Sequence, residues 1–266
     1  MLQAGYTPEE LKEANFTARE LRDAGVRVAK LKDCGYTLIE LRKAGCTVAE
    51  LVPLQYTCEE FRLADFGANE MKAAGFIPHT LKEGGYTLTE LRRAFTLGEL
   101  RSDYSIDDFK SDGLGISDLK VEFTLAELKA SAKVSLFSSE TTFALTEFKT
   151  DGSFSGAELR QVGFSCTEMI TAAYTVPELR TAGWTCTELR GAGITAADLR
   201  AAGVSVLDTK EAGYSLKELK GAGYGLTELK KAGFTSVDEL QAAGFTVPQL
   251  KEAGFTMPEP PAPGGA

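Results

Sequence analysis

The sequence predicts an all-α solenoid: a superhelix of about 25 very short helices, one per ten-residue repeat. Three observations predict it. A unit reading A-G-[Y/F]-[T/S]-x-x-E-L-[K/R]-x recurs along nearly the whole chain, cleanly in Ala4-Gly5-Tyr6-Thr7-Pro8-Glu9-Glu10-Leu11-Lys12 and in Ala212-Gly213-Tyr214-Ser215-Leu216-Lys217-Glu218-Leu219-Lys220. An apolar residue marks the register, running Leu11, Leu21, Leu31, Leu41, Leu51, Phe61, Met71, Leu81, Leu91. Each unit also carries both a helix start and a helix stop.

The start is a Thr or Ser N-cap followed three residues later by Glu, a capping box that satisfies backbone donors left free at a helix N-terminus. The pairs are Thr7 with Glu10, Thr37 with Glu40, Thr87 with Glu90, Thr185 with Glu188 and Ser215 with Glu218. The aromatic before the cap and the Leu after the Glu have hydrophobic-staple spacing, as in Tyr36 with Leu41 and Trp184 with Leu189. Pro8, Pro177 and Pro248 fall in the first turn, where proline lacks no needed donor.

The stop is Ala-Gly. Gly5, Gly35, Gly85, Gly183 and Gly213 are placed to adopt the left-handed conformation of a Schellman turn, and Asn15 stands in for Gly in one unit. Acidic residues gather at helix starts and Lys or Arg near helix ends, as the macrodipole favours. The helical part is then six to eight residues, ~9–12 Å. Such a helix does not persist alone in water. A cap contributes about 1 kcal/mol; burying one Leu or Phe contributes roughly 1.5–3 kcal/mol. Packing against neighbouring units therefore decides stability. Odd and even units read alike, so each is expected to meet a nearly equivalent environment.

The register divides the chain into regular repeats over 1–93, irregular repeats over 94–158, regular repeats over 159–257, and a Pro/Gly-rich flexible tail over 258–266, all in one continuous solenoid. In the irregular part the marker residues Leu91, Leu100, Phe109, Leu119 and Leu128 are spaced nine, nine, ten and nine apart. The unit near 132–142 is too degenerate to align, and Ser135–Thr142 is a polar patch.

Of the 266 residues, 43% are hydrophobic and 25% charged, as in a folded globular protein. The net charge of −9 opposes nucleic acid and anionic membrane surfaces as main partners. No apolar run approaches the ~20 residues that span a bilayer. The repeats begin within five residues of Met1, so the sequence offers no secretory or transit segment. The expected setting is soluble: cytoplasmic, or organellar such as the plastid stroma if a transit peptide has been removed.

Cys34, Cys46, Cys58, Cys166 and Cys186 occupy slots that other units fill with small or apolar residues, so they read as buried thiols; no C-x-x-C pair suggests a metal site. The single histidine, His79, lies in a unit lacking both cap Thr and Glu, with no evident orienting partner or nucleophile. Trp184 fills the aromatic slot of a well-formed unit and reads as core. No catalytic, metal-binding or cofactor-binding residue is assigned, and no cofactor is expected.

The array resembles the Leu-rich ten-residue repeats of this same A-G-[Y/F]-[T/S]-x-x-E-L-[K/R] type found in algal and protist proteomes. The resemblance spans nearly all of residues 4–257 and implies a helical repeat architecture, with no active-site residues to transfer. It is distinct from five-residue A-[D/N]-L-x-x repeats, which build a β-helix. The expected function is non-enzymatic: a scaffold mediating protein–protein interaction, as linker or accessory subunit of a larger assembly. The algal character of the repeat makes a photosystem–antenna complex one concrete version. The expected partners are other proteins, without nucleic acid and without membrane insertion. An ice- or surface-binding repeat, built on the regular Thr hydroxyls, is the alternative; an enzyme is a remote third.

Overall fold

The computed structural model describes residues 5–131 and 143–256. The degenerate unit near 132–142 and the tail 258–266 lie outside the described residues. Among the described residues the chain is all-α, with 24 α-helices and no strand, as the sequence predicts. It divides into two compact units, Met1–Thr124 and Leu125–Ala266.

The first unit contains α1 (Pro8–Glu13), α2 (Ala18–Asp23), α3 (Val28–Asp33), α4 (Leu38–Lys43), α5 (Val48–Leu51), α6 (Cys58–Leu63), α7 (Ala68–Ala73), α8 (Pro78–Glu83), α9 (Leu88–Leu91), α10 (Leu97–Leu100), α11 (Ile106–Ser111) and α12 (Ile116–Leu119). The second contains α13 (Leu125–Ser131), α14 (Leu145–Asp151), α15 (Gly156–Gln161), α16 (Cys166–Thr171), α17 (Val176–Thr181), α18 (Cys186–Gly191), α19 (Ala196–Ala201), α20 (Val206–Glu211), α21 (Leu216–Gly221), α22 (Leu226–Lys231), α23 (Val237–Ala242) and α24 (Val247–Glu252).

The ten-residue units end in a Schellman turn. After α1, the Asn15 N–H donates to Lys12 O at 2.8 Å and the Phe16 N–H to Leu11 O at 3.0 Å. The residue at the turn has positive φ: +92° at Gly5, +83° at Gly35, +84° at Gly85, +92° at Gly183 and +90° at Gly213, with Asn15 at 65°. The nine-residue spacings use a different stop. One residue is missing between the marker Leu and the next aromatic, so the aromatic N–H reaches back four residues instead of five. Phe95 donates to Leu91 O at 2.9 Å, Tyr104 to Leu100 O at 3.1 Å and Phe123 to Leu119 O at 2.9 Å. This turn needs no left-handed residue, so Gly is dispensable there. The aromatic still arrives inside: Phe95 and Phe123 are buried.

Within each unit, helices meet their sequence neighbours and also the helix two repeats on. In the first unit α2 packs on α4, α6 on α8 and α7 on α9; in the second α15 packs on α17, α18 on α20 and α19 on α21. A two-repeat period is therefore superimposed on units that read alike in sequence. The marker residues face inward and are fully buried, from Leu31 and Leu41 to Leu219 and Leu229. Where Phe replaces Leu, the aromatic slots close around it: the Phe61 ring lies 6.0 Å from Tyr56, 5.4 Å from Phe66 and 6.0 Å from Phe76. Thr209, the buried polar residue of the marker slot, bonds Ser205 O at 2.8 Å and Tyr224 Oη at 3.0 Å.

The two-repeat stacking explains why the C-cap is small. The first residue of a helix sits against the C-cap of the helix two repeats on. A Cβ added to Gly84 would meet Cys58 Cβ at 2.4 Å. We therefore expect Gly84→Ala to destabilise the first unit by ~1–3 kcal/mol through overpacking, at a φ that Ala itself tolerates. Ala173, which holds the stop position at φ 61°, gives the opposite case: Ala173→Gly should raise the thermal midpoint, since the left-handed region costs a Cβ-bearing residue roughly 1–2 kcal/mol. Thermal melts followed by circular dichroism check both signs.

Candidate interaction surface

Most helix starts among the described residues are held by a reciprocal pair of bonds. The Thr7 N–H donates to Glu10 Oε2 at 2.8 Å while Glu10 N–H donates to Thr7 Oγ1 at 3.3 Å. The same pair forms at Thr37 with Glu40, Thr87 with Glu90, Thr185 with Glu188 and Ser215 with Glu218. The cap hydroxyl also donates to the same carboxylate, at 3.1 Å for Thr7 and 2.8 Å for Thr37. Both hydrogen-bonding capacities of these hydroxyls are thus engaged inside the unit. Where Gly replaces the cap, half the pair persists: Gly67 N–H donates to Glu70 Oε2 at 2.7 Å. Arg27 and Ile77 provide no side-chain cap.

The basic residue after the marker does more than answer the macrodipole. It extends to the C-cap of the helix two repeats on and the aromatic that follows it, and in several units also to the capping carboxylate of the next helix. Arg42 lies over the Phe66 ring at 4.7 Å, donates to Ala64 O at 3.2 Å, and approaches Glu70 at 3.6 Å. Lys72 lies over Phe95 at 4.6 Å, donates to Ala94 O at 3.0 Å and pairs with Glu99 at 2.9 Å. In the second unit Arg160 covers Trp184 at 4.2 Å and pairs with Glu188 at 2.8 Å, and Arg200 covers Tyr224 at 5.0 Å while donating to Ala222 O at 3.3 Å. The capping Glu therefore binds its own helix start and a cation from three repeats earlier. Tyrosines add a bond in the reverse direction: Tyr86 Oη donates to Phe66 O at 2.8 Å and Tyr224 Oη to Val204 O at 2.9 Å. Burial pushes the Tyr86 phenol up to about 12. Trp184 is buried beneath Arg160, and its indole N–H has no acceptor.

The recurring basic slot was the available sequence signal for this network, at Lys12, Arg22, Lys32 and Arg42, but its target two repeats away was not marked. The slot fails at Val52, Ile170 and Gln241. Where it holds, shallow recesses open beside the clamp. One of 460 Å³ is lined by Lys12, Phe16, Arg19, Tyr36, Glu40 and Lys43, and its counterparts of 390 and 560 Å³ lie beside Arg42 and Arg190.

The second residue of each helix and the one four places later face outward, and here the units differ from one another. In the first unit these positions include Arg19 and Asp23, Ile39 and Lys43, Glu59 and Leu63, and His79 and Glu83, all exposed. His79 does have carboxylate neighbours: Nδ1 is 2.8 Å from Asp103 Oδ1 and Nε2 is 3.6 Å from Glu83 Oε1. Asp103 is 24 residues away, so only the stacking reveals it. The nearby Ser102 hydroxyl donates to Asp103 Oδ2 at 3.2 Å.

Among the cysteines, Cys46 and Cys186 are buried, while Cys34, Cys58 and Cys166 are half-buried, less enclosed than their slots suggested. Burial is the first cause raising all five thiols above their usual value. No group of three metal-holding side chains occurs among the described residues, and none of their helices is long and apolar enough to cross a membrane.

The caps set a pH dependence. The carboxyls of Glu20, Glu40, Glu50, Glu90, Glu99, Glu178 and Glu188 lie below the ordinary carboxylate value, first because the cap backbone N–H donates to them. Glu168 and Glu218 are lowered first by the cap Ser hydroxyl. A folded value below the unfolded one means stability present above the unfolded carboxylate value, about 4, and lost as pH falls through the folded values. Helicity at 222 nm should hold from neutral pH to about pH 5 and fall cooperatively in more acid solution.

The profile of one protein family, described as decapeptide repeat region, matches residues 1–53, 35–103, 152–226 and 213–264. The unmatched interval 104–151 holds the shortened spacing from Leu119 to Leu128. The searches of curated proteins and of solved structures gave no match. With the matches covering most of its length, the chain belongs to the decapeptide repeat region family.

Proposed function

We propose that this chain is a non-enzymatic scaffold that presents its outward helix positions to other proteins, acting as a linker or accessory subunit of a larger assembly. One observation carries the reading. The distinctive side chains of the repeat bind one another: cap hydroxyl to capping carboxylate, base to aromatic and carbonyl two repeats on, marker residue to core. The outward positions, left out of this network, are where neighbouring units differ. A repeat protein with a constant interior and a varied exterior suits recognition along an extended surface. An organellar setting, with a photosystem–antenna complex as its concrete version, rests on the resemblance of the repeat to algal and protist sequences.

Photo-crosslinking residues placed at exposed second-helix positions, Thr187, Ala197 and Thr227, provide the test. In native extract of the source cells they should give a small set of reproducible protein adducts, competed away by unmodified chain. A chain that stays free of adducts at every outward position and migrates at its own mass would overturn the proposal.

A further inference from the structure

Five helices of the first unit form one column. Arg22 of α2 donates to Ala44 O beyond α4, at 3.0 Å; Arg42 of α4 donates to Ala64 O beyond α6, at 3.2 Å; Arg62 of α6 donates to Gly84 O beyond α8, at 3.3 Å; and Lys82 of α8 donates to Asp103 O beyond α10. On the outer side of this column, the second residue of each helix lies near the end of the helix two repeats on. Arg19 and Lys43, 24 apart in sequence, line one recess. His79 and Asp103, also 24 apart, are in contact at 2.8 Å.

The same offset places Ile39 beside Leu63 in register, and Glu59 beside Glu83. Down one face the order is a basic pair, an apolar pair and an acidic pair. Ile39 and Leu63 are large apolar side chains, 49% and 64% exposed. Arg19, Lys43 and Glu59 are exposed, and among the described residues they make no ion pair; Glu83 is approached by His79 at 3.6 Å. Elsewhere in the unit, bases and carboxylates on the stacking clamp pair with each other, as in Arg22 with Glu50. At these outward positions like charges are grouped instead, with Glu40 of the same recess held by its own Thr37 cap, and such grouping is unfavourable unless something opposite covers it.

We infer that this face is a self-complementary interface that takes a second copy of the chain across a two-fold axis. Successive helices of a column lie about 8–10 Å apart, so the basic and acidic pairs stand at equal steps on either side of Ile39 and Leu63. A two-fold axis through the apolar pair superposes Arg19 and Lys43 of one copy on Glu59 and Glu83 of the other, twice over, and sets apolar on apolar at the centre. That is the arrangement an isologous interface requires. No other partner needs to be supplied to neutralise the face. With three steps of one helix column in contact, the interface falls at the small end of specific ones, below about 1,200 Å², so the pairing is reversible and weakened by salt.

Sedimentation equilibrium of the full chain tests this. The chain should show a monomer–dimer equilibrium at ~20 mM ionic strength that shifts to monomer at ~500 mM. Leu63→Arg, which sets like charges at the axis, should weaken the dimer about tenfold or more. Arg19→Glu with Lys43→Glu should abolish it, as should Glu59→Lys with Glu83→Lys. Mixing these two charge-reversed chains should restore a dimer, since every pair is then opposite in sign. All are surface changes, and unchanged helicity by circular dichroism shows each variant folded. A wild-type chain that stays monomeric at low salt, a dimer indifferent to Leu63→Arg, or a mixture that fails to recover overturns the proposal. A monomeric result would leave the scaffold reading standing and return this face to a different protein; loss of crosslinks at the outward positions of the second unit would sink the scaffold reading alone.

Discussion

The structure depends on one reach: a basic side chain crossing from its own repeat to the repeat two units on. Among the described residues no helix is longer than seven residues, so none of them is stable in isolation. Each must borrow order from neighbours. Burial of the marker residue supplies the bulk of the gain, yet burial is non-directional and does not choose which neighbour is met. The base does choose. Stacked on an aromatic, bonded to a C-cap carbonyl and paired with a capping Glu, as Arg42 is with Phe66, Ala64 and Glu70, it specifies a partner at a fixed sequence offset. The carbonyl it reaches belongs to a helix C-terminus, where backbone acceptors are otherwise unmet and negative in character.

What was legible in the sequence is what obeys rules inside ten residues. A Thr followed by Glu at the third place, a Gly after the last helical residue, and a Leu at constant phase each follow from local geometry, and the all-α class with short helices follows from them. The two-repeat period was not legible, because a unit such as that of α4 and one such as that of α5 carry the same signals. The destination of Arg42 was hidden for the same reason: a base in the last turn already has a sufficient local explanation in the helix dipole. Asp103 beside His79 was hidden because contacts 24 residues apart appear only once the stacking is known.

The shortened units show how far the plan bends. Removing one residue after Leu91 changes the turn from a six-residue to a five-residue closure, removes the need for Gly, and still delivers Phe95 to the core beneath Lys72. Loss of the stop glycine at the nine-residue spacings is therefore a consequence of spacing rather than of weaker packing, and Gly113 keeps the stop at φ 89° where the spacing is ten. The interior tolerates such edits because contacts are made unit by unit, while the exterior is free to carry whatever its partners require.

The measurement that tests the central claim most directly is a pair of double-mutant cycles on thermal or denaturant stability. One couples Arg42→Met with Phe66→Leu, two repeats apart in the stacking; the other couples Arg42→Met with Tyr56→Leu, the intervening aromatic. The account predicts a coupling of roughly 0.5–1 kcal/mol in the first cycle and none resolvable in the second. Equal couplings, or coupling confined to the second cycle, would contradict it.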